Sequence, residues 1–157
     1  MSLLTQAILL TALSLSFVSD ISAARRVKAH RLAILIAAPW PGETAMHNDL
    51  LAVSDALSQR GYSAKESIVL EGQLNRQSLL ALFEEVHRRI AQWKDGEVFL
   101  YFGGHGYYSG ATASDARPGL LLASDPEYSS NIAVFWDEVF KALNVPSKVS
   151  FIILPDN

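Results

Sequence analysis

The sequence contains no cysteine in its 157 residues. That excludes disulfides, thiolate metal sites and a cysteine nucleophile among these residues. Basic residues are not in excess: 13 Lys and Arg stand against 16 Asp and Glu, for a net charge of −3. A dedicated nucleic-acid binder carries clustered positive charge, so nucleic acid is not an expected partner. Charged residues reach only 18% against 50% hydrophobic, which rules out a disordered acidic chain and leaves apolar mass for one domain's core. No phosphate-cradling P-loop occurs. The four histidines, His30, His47, His87 and His105, lack paired-ligand spacing, so neither metal nor cofactor is expected.

What is present begins with an apolar segment. Residues 2–19 carry no charge, and Asp20-Ile21-Ser22-Ala23-Ala24 follows as a small-residue run. This pattern suits a secretory signal peptide, with residues 1–24 as the leader and the protein exported. No Lys or Arg precedes the run, whereas Arg25, Arg26, Lys28 and Arg31 follow it. An uncleaved membrane anchor with its carboxyl side in the cytoplasm fits that charge order. A plain first helix of a cytoplasmic protein is the third reading, since Thr5, Gln6, Thr11, Ser14 and Ser16 interrupt the run.

Strand-then-helix units follow. Arg31–Ala38 is a short apolar run stopped by Pro39-Trp40-Pro41-Gly42, the mark of a strand buried on both faces. Residues 44–60 place Met46, Leu50, Val53 and Leu57 on one helical stripe, closed by Gly61. Residues 67–70 read as the second strand. Asn75 suits the cap of a helix whose inner face is Leu79, Leu82, Phe83, Val86 and Ile90, with Glu84, Glu85, Arg88 and Arg89 solvated.

Residues 97–102 form the third strand and run into Gly103-Gly104-His105-Gly106. Residues 111–118 read as a polar loop and 119–123 as a short strand. The spacing predicts a helix over 131–143 with Ile132, Phe135, Trp136, Val139, Phe140 and Leu143 inward, and a fourth main strand over 149–154. Asp115, Asp125, Asp137 and Glu138 read as loop and helix-surface carboxylates, and Trp93 and Trp136 as core. Alternating strands and helices imply an α/β fold: a three-layer sandwich around a mostly parallel sheet. Ligand sites in such sheets lie off the carboxyl ends of strands. Here those ends are the glycine-rich stretch after Phe102 and Pro155-Asp156-Asn157 after Leu154.

His105 is the residue with chemistry to offer at the first of these ends. An imidazole titrates near neutrality and can take a proton from a nucleophile and return it to a leaving group. The Gly106 N–H, unshielded by a side chain, suits a developing oxyanion. A loop histidine with a structural hydrogen bond is the plainer alternative. The stretch lacks the third glycine of a dinucleotide-binding motif, and Gly106-Tyr107-Tyr108-Ser109-Gly110 does not match a G-x-S-x-G elbow.

Over residues 31–157 the pattern resembles the caspase and metacaspase superfamily of cysteine peptidases. The residues that carry the resemblance are Arg31–Ala38, Asn48-Asp49 entering a helix that ends Ala56-Leu57-Ser58-Gln59-Arg60-Gly61-Tyr62, the strand and glycines Phe99–Gly106, and Val149–Leu154 with Pro155-Asp156. The family delivers its nucleophile as an apolar strand, Asp, one residue, then Cys. The resemblance implies that His105 is the general base and acid and that Gly106 supplies half of the oxyanion hole. The caspase histidine lies about 50 residues before its cysteine. That count from His105 arrives at Asn157, where Asp156 is followed by one residue and the given sequence stops. The expectation is therefore the amino-terminal part of a caspase-like endopeptidase, an incomplete fold inactive alone, which acts on peptide or protein substrates once completed. The alternative is a non-catalytic caspase-like domain that binds or regulates a caspase-like partner. A third reading is an unrelated flavodoxin-like small-ligand domain. A sheet whose last strand holds Phe151, Ile152 and Ile153 is expected to leave an apolar edge without full cover.

Overall fold

The computed structural model describes residues 30–123 and 132–156. The apolar segment 2–19, with the leader or anchor assigned to it, and Asp125 lie outside the described residues. The fold is α/β, and the described residues form a four-stranded parallel sheet, a three-stranded antiparallel sheet and three α-helices. In chain order the elements are β1 (Arg31–Ala37), α1 (Ala45–Gln59), β2 (Ser67–Glu71), α2 (Arg76–Ile90), β3 (Glu97–Gly103), β4 (His105–Ser109), β5 (Arg117–Leu121), β6 (Ala133–Phe135), α3 (Trp136–Leu143) and β7 (Ser150–Asp156). The parallel sheet has the order β2-β1-β3-β7, and the antiparallel sheet β4-β5-β6.

The central strand shows why its sequence is an unbroken apolar run. Leu32, Ile34 and Ile36 pack with Leu79, Phe83 and Val86 of α2 and Val139 and Leu143 of α3. Ala33, Leu35 and Ala37 pack with Leu50 and Leu57 of α1. Both faces of β1 are covered, so its polar alternation is lost. The expected helices on both faces are present, two on one side and one on the other. Asn75 caps α2 by accepting from the Ser78 N–H at 2.8 Å. Gly61 closes the turn after α1 with φ +86°, which favours glycine over a residue with a Cβ. Its N–H donates to Ser58 C=O at 2.8 Å.

The outer strands are less well covered. Phe151 and Ile153 of β7 are half-buried, and Phe151 meets Phe140 edge-on. Ile152 and Leu154, on the α1 side of the sheet, are 37% and 45% exposed. The apolar edge expected at the last strand is therefore present, but it lies at alternate positions of β7.

The stretch between β3 and β7 departs from the sequence reading. His105–Ser109 and Ala133–Phe135 are strands, where a glycine-rich loop and the first turns of a helix were expected. The helix begins at Trp136, and Phe140, expected inward, is 48% exposed. Asn131 lies outside the described residues. The short strand expected over 119–123 runs Arg117–Leu121. The physical reason is tertiary: Leu120, Leu122 and Val134 join the core against α2, which pulls Ala133–Phe135 into extended pairing beside β5. A three-residue strand carries too little periodicity to separate from a helix start.

Candidate functional site

The carboxyl ends of β1, β3 and β7 are tied together by backbone bonds. Ala38 N–H donates to Gly103 C=O at 2.8 Å, and Gly104 N–H donates to Asp156 C=O at 3.1 Å. The register sets Gly103 beside Ala37 and Asp156. The two strand ends singled out in the sequence are therefore neighbours. His105 follows at once as the first residue of β4.

Gly103 and Gly104 serve close packing here. Neither has a positive φ. A Cβ on Gly104 would come within 2.7 Å of the Phe102 ring, and one on Gly103 within 2.6 Å of the Tyr101 hydroxyl. The chain can turn from β3 into β4 over these aromatics because both positions lack a side chain.

His105 is one-third exposed and held by the loop after β1. Its Nε2 lies 3.2 and 3.1 Å from the two carboxylate oxygens of Glu43. Its ring lies against Trp40, with centroids 4.1 Å apart and planes tilted by 35°. Trp40 also fixes the carboxylate: its backbone N–H donates to Glu43 Oε2 at 2.7 Å. The Trp40 N–H first, and then His105, hold the Glu43 carboxyl below its ordinary value of 4.5. Glu43 is thus ionised at neutral pH; its bonds are present above the ordinary value and are lost as pH falls through the lowered one.

An ionised carboxylate only accepts hydrogen bonds, so a neutral His105 carries its proton on Nε2. Nδ1 then carries the lone pair, has no hydrogen bond among the described residues, and is the atom able to act as a base. In Glu43→Ala, the ring ¹⁵N shifts of His105 at pH 8 are expected to move toward those of free imidazole. Glu43→Gln, whose amide oxygen still accepts, is expected to keep the native spectrum. Unchanged shifts in the alanine variant would remove Glu43 from this role.

The Gly106 N–H is available. In an antiparallel ladder a residue's N–H and C=O point to the same side, and successive residues alternate. Leu122 N–H donates to Ile132 C=O at 2.8 Å, one residue beyond the paired ends Leu121 and Ala133 of β5 and β6. Two residues earlier, Leu120 also faces β6 and makes no bond toward β4. Gly106 stands opposite Leu120, so its N–H points off the outer edge of β4. Gly106 is exposed.

Asp156 accepts from the Tyr101 hydroxyl at 3.3 Å. Burial first, and then the Asp156 charge, push the Tyr101 hydroxyl up to about 12, so it is a neutral donor at neutral pH. Of the remaining carboxylates, Asp115 folds its own turn by accepting from Thr112 N–H at 2.6 Å, and Asp137 pairs with Arg117 at 2.9 Å. Glu138 pairs with Arg76. The other histidines are dispersed: His30 stacks on Trp93, His47 pairs with Glu71 at 2.8 Å, and His87 bonds Leu143 C=O at 3.2 Å. Among the described residues no three His, Asp or Glu side chains converge as a metal site. A cavity of about 730 Å³ on the flank of α2, lined by Asn75, Arg76, Leu80 and Glu84, brings together no nucleophile–base pair among the described residues.

Sequence reasoning reached His105 and Gly106 but missed Trp40 and Glu43. The available signal was that Pro39–Glu43 follows a strand end. The missing fact was that β1 and β3 are adjacent, which brings that loop over His105. No protein-family model matches the chain, and no curated protein matches it in sequence. Among the described residues no helix is long and apolar enough to cross a membrane.

Proposed function

We propose that residues 31–157 are the amino-terminal, histidine-bearing part of a caspase-like cysteine endopeptidase. One observation carries the reading: the end of β7 lies beside the start of β4, with Gly104 N–H on Asp156 C=O at 3.1 Å. The family pattern sets a cysteine two residues beyond the Asp. At about 3.3 Å per residue the backbone of that cysteine lies within roughly 7 Å of Asp156, at the strand end where His105 opens β4.

In this reading His105 Nδ1 takes the thiol proton and the thiolate attacks a peptide carbonyl. The Gly106 N–H donates to the oxyanion as the C–O double bond opens. The tetrahedral carbon then expels the amine, which leaves with the proton from His105. Water, deprotonated by the same nitrogen, releases the carboxylic acid from the thioester and restores the thiol. Among the described residues the side-chain hydrogen bonds of His105 reach no hydroxyl, and Ser150 stands at the opposite end of β7, beside Glu97. A non-catalytic caspase-like domain that binds or regulates a partner is the second reading. It is favoured by the fact that the side-chain hydrogen bonds of His105 go to Glu43 alone among the described residues.

A chain extended by Cys-Gly-Gly after Asn157 would carry its only thiol there. Iodoacetamide at pH 7 is expected to alkylate it about tenfold faster than in the same chain with His105→Ala, one unit of thiol pKa being worth a factor of ten in thiolate. Equal rates would reject the peptidase reading in favour of the second.

A further inference from the structure

The ladder pattern that frees Gly106 frees a second residue. His105, Tyr107 and Ser109 stand opposite Leu121, Gly119 and Arg117 and turn their N–H and C=O groups into the sheet. Gly106 and Tyr108 stand opposite Leu120 and Pro118 and turn theirs outward. Pro118 fits this assignment: a residue with no N–H occupies a position where none is needed toward β4. β4 is the outer strand of its sheet. β4 pairs with β5 alone, and among the described residues no backbone bond outside the ladders reaches Gly106 or Tyr108. The Tyr108 side chain is 67% exposed.

Outer strands are usually blunted by lysine, proline, an inward charge or a bulge. His-Gly-Tyr-Tyr-Ser has none of these. It offers two N–H and two C=O groups at a two-residue spacing of about 7 Å, a pattern met by another extended backbone. The same strand begins with His105, so anything aligned along it passes the candidate base.

The geometry points to this edge as a docking strip for an extended stretch of polypeptide, added to β4 as a further strand. One carbonyl of that polypeptide rests on the Gly106 N–H beside His105, and its next ladder contacts fall at Tyr108. The inference rests on the peptidase reading and sharpens it. Substrates are taken as extended segments, read along their backbone on the Tyr108 side of the reacting carbonyl. A substrate held in a helix or a tight turn has its N–H and C=O groups engaged and cannot complete the ladder.

The test uses the ¹⁵N-labelled 157-residue chain and a pool of N-acetylated octapeptide amides without proline. The Gly106 and Tyr108 amide signals are expected to shift, while that of Tyr107, already bonded to β5, stays in place. Tyr108→Pro, which removes an N–H that the free fold does not use, is expected to weaken binding about tenfold, as loss of one or two ladder bonds would. The same pool N-methylated at every second residue is the check that needs no variant to fold, and one of its two phases is expected to lose binding. Three results would overturn the inference: unchanged Gly106 and Tyr108 signals at millimolar peptide, equal binding by both N-methylated phases, or a peptide-free dimer that shifts the same two amides. Peptide binding at the edge together with an appended thiol indifferent to His105 would reject the peptidase reading alone. An accelerated thiol without edge binding would reject the docking strip alone.

Discussion

A form of this protein carrying a thiol two residues beyond Asp156 is expected to lose roughly 10²–10⁴-fold in peptide hydrolysis on His105→Ala, the usual share of a positioned general base. The 157-residue chain is expected to hydrolyse no peptide, because a base without a nucleophile activates nothing. The size of the loss depends on Glu43 and Trp40. Glu43 fixes the proton on Nε2, and the Trp40 ring lies on the imidazole at 4.1 Å, so Nδ1 is presented in one orientation. The measurement is kcat/KM on a fluorogenic peptide for both proteins. Retention of more than a tenth of the activity in His105→Ala would show that His105 is not the base. Hydrolysis by the 157-residue chain itself, abolished by His105→Ala, would show that another group supplies the nucleophile.

Gly104→Ala is expected to destabilise the fold by about 1–3 kcal/mol, the range for an extra methyl forced into a packed interior. The added Cβ would lie 2.7 Å from two carbons of the Phe102 ring. Phe102 is fully buried among Leu100, Ile36 and Leu120 in the α2-side core and cannot swing aside. The backbone must yield instead, and the backbone here leads straight into His105. The urea midpoint is the readout, and the same variant should blunt the reactivity of an appended thiol. Phe102→Leu makes room for the methyl, so the double variant should be less destabilised than the sum of the two single variants. Simple additivity, or an unchanged midpoint for Gly104→Ala, would show that the ring yields freely.

Much of the parallel sheet was legible in the sequence because its strands are long and its covering helices strongly periodic. Arg31–Ala37 and Glu97–Gly103 each bury six consecutive residues. An apolar run of that length is too short for a covered helix and too continuous for a half-exposed strand, which leaves a strand buried on both faces. The stripe Leu79, Phe83, Val86 and Ile90 is buried as its spacing predicts. The antiparallel sheet was not legible. His-Gly-Tyr-Tyr-Ser and Ala-Val-Phe are short, and they are extended because Leu120 and Val134 find places in a core built by other elements.

The site divides in the same way. Composition had already limited what these residues do by themselves: without a cysteine, His105 has no thiol of their own to activate. Local sequence also marked His105 and Gly106, since an apolar strand ending among glycines announces a strand end, and strand ends are where parallel sheets bind. What the sequence left open was which loops share that end. The strand order β2-β1-β3-β7 decided it, by setting β1 and β7 on either side of β3. From that adjacency come the Glu43 carboxylate on Nε2, the Trp40 ring on the imidazole and the Asp156 carbonyl at Gly104. The ladder phase, fixed by β6 through β5, decided that the Gly106 N–H points outward. Hydrophobic pattern is a local property and survives in the one-dimensional string. Contact between residues 62 positions apart, as Glu43 and His105 are, depends on how the sheet is ordered, and only the folded chain states that order.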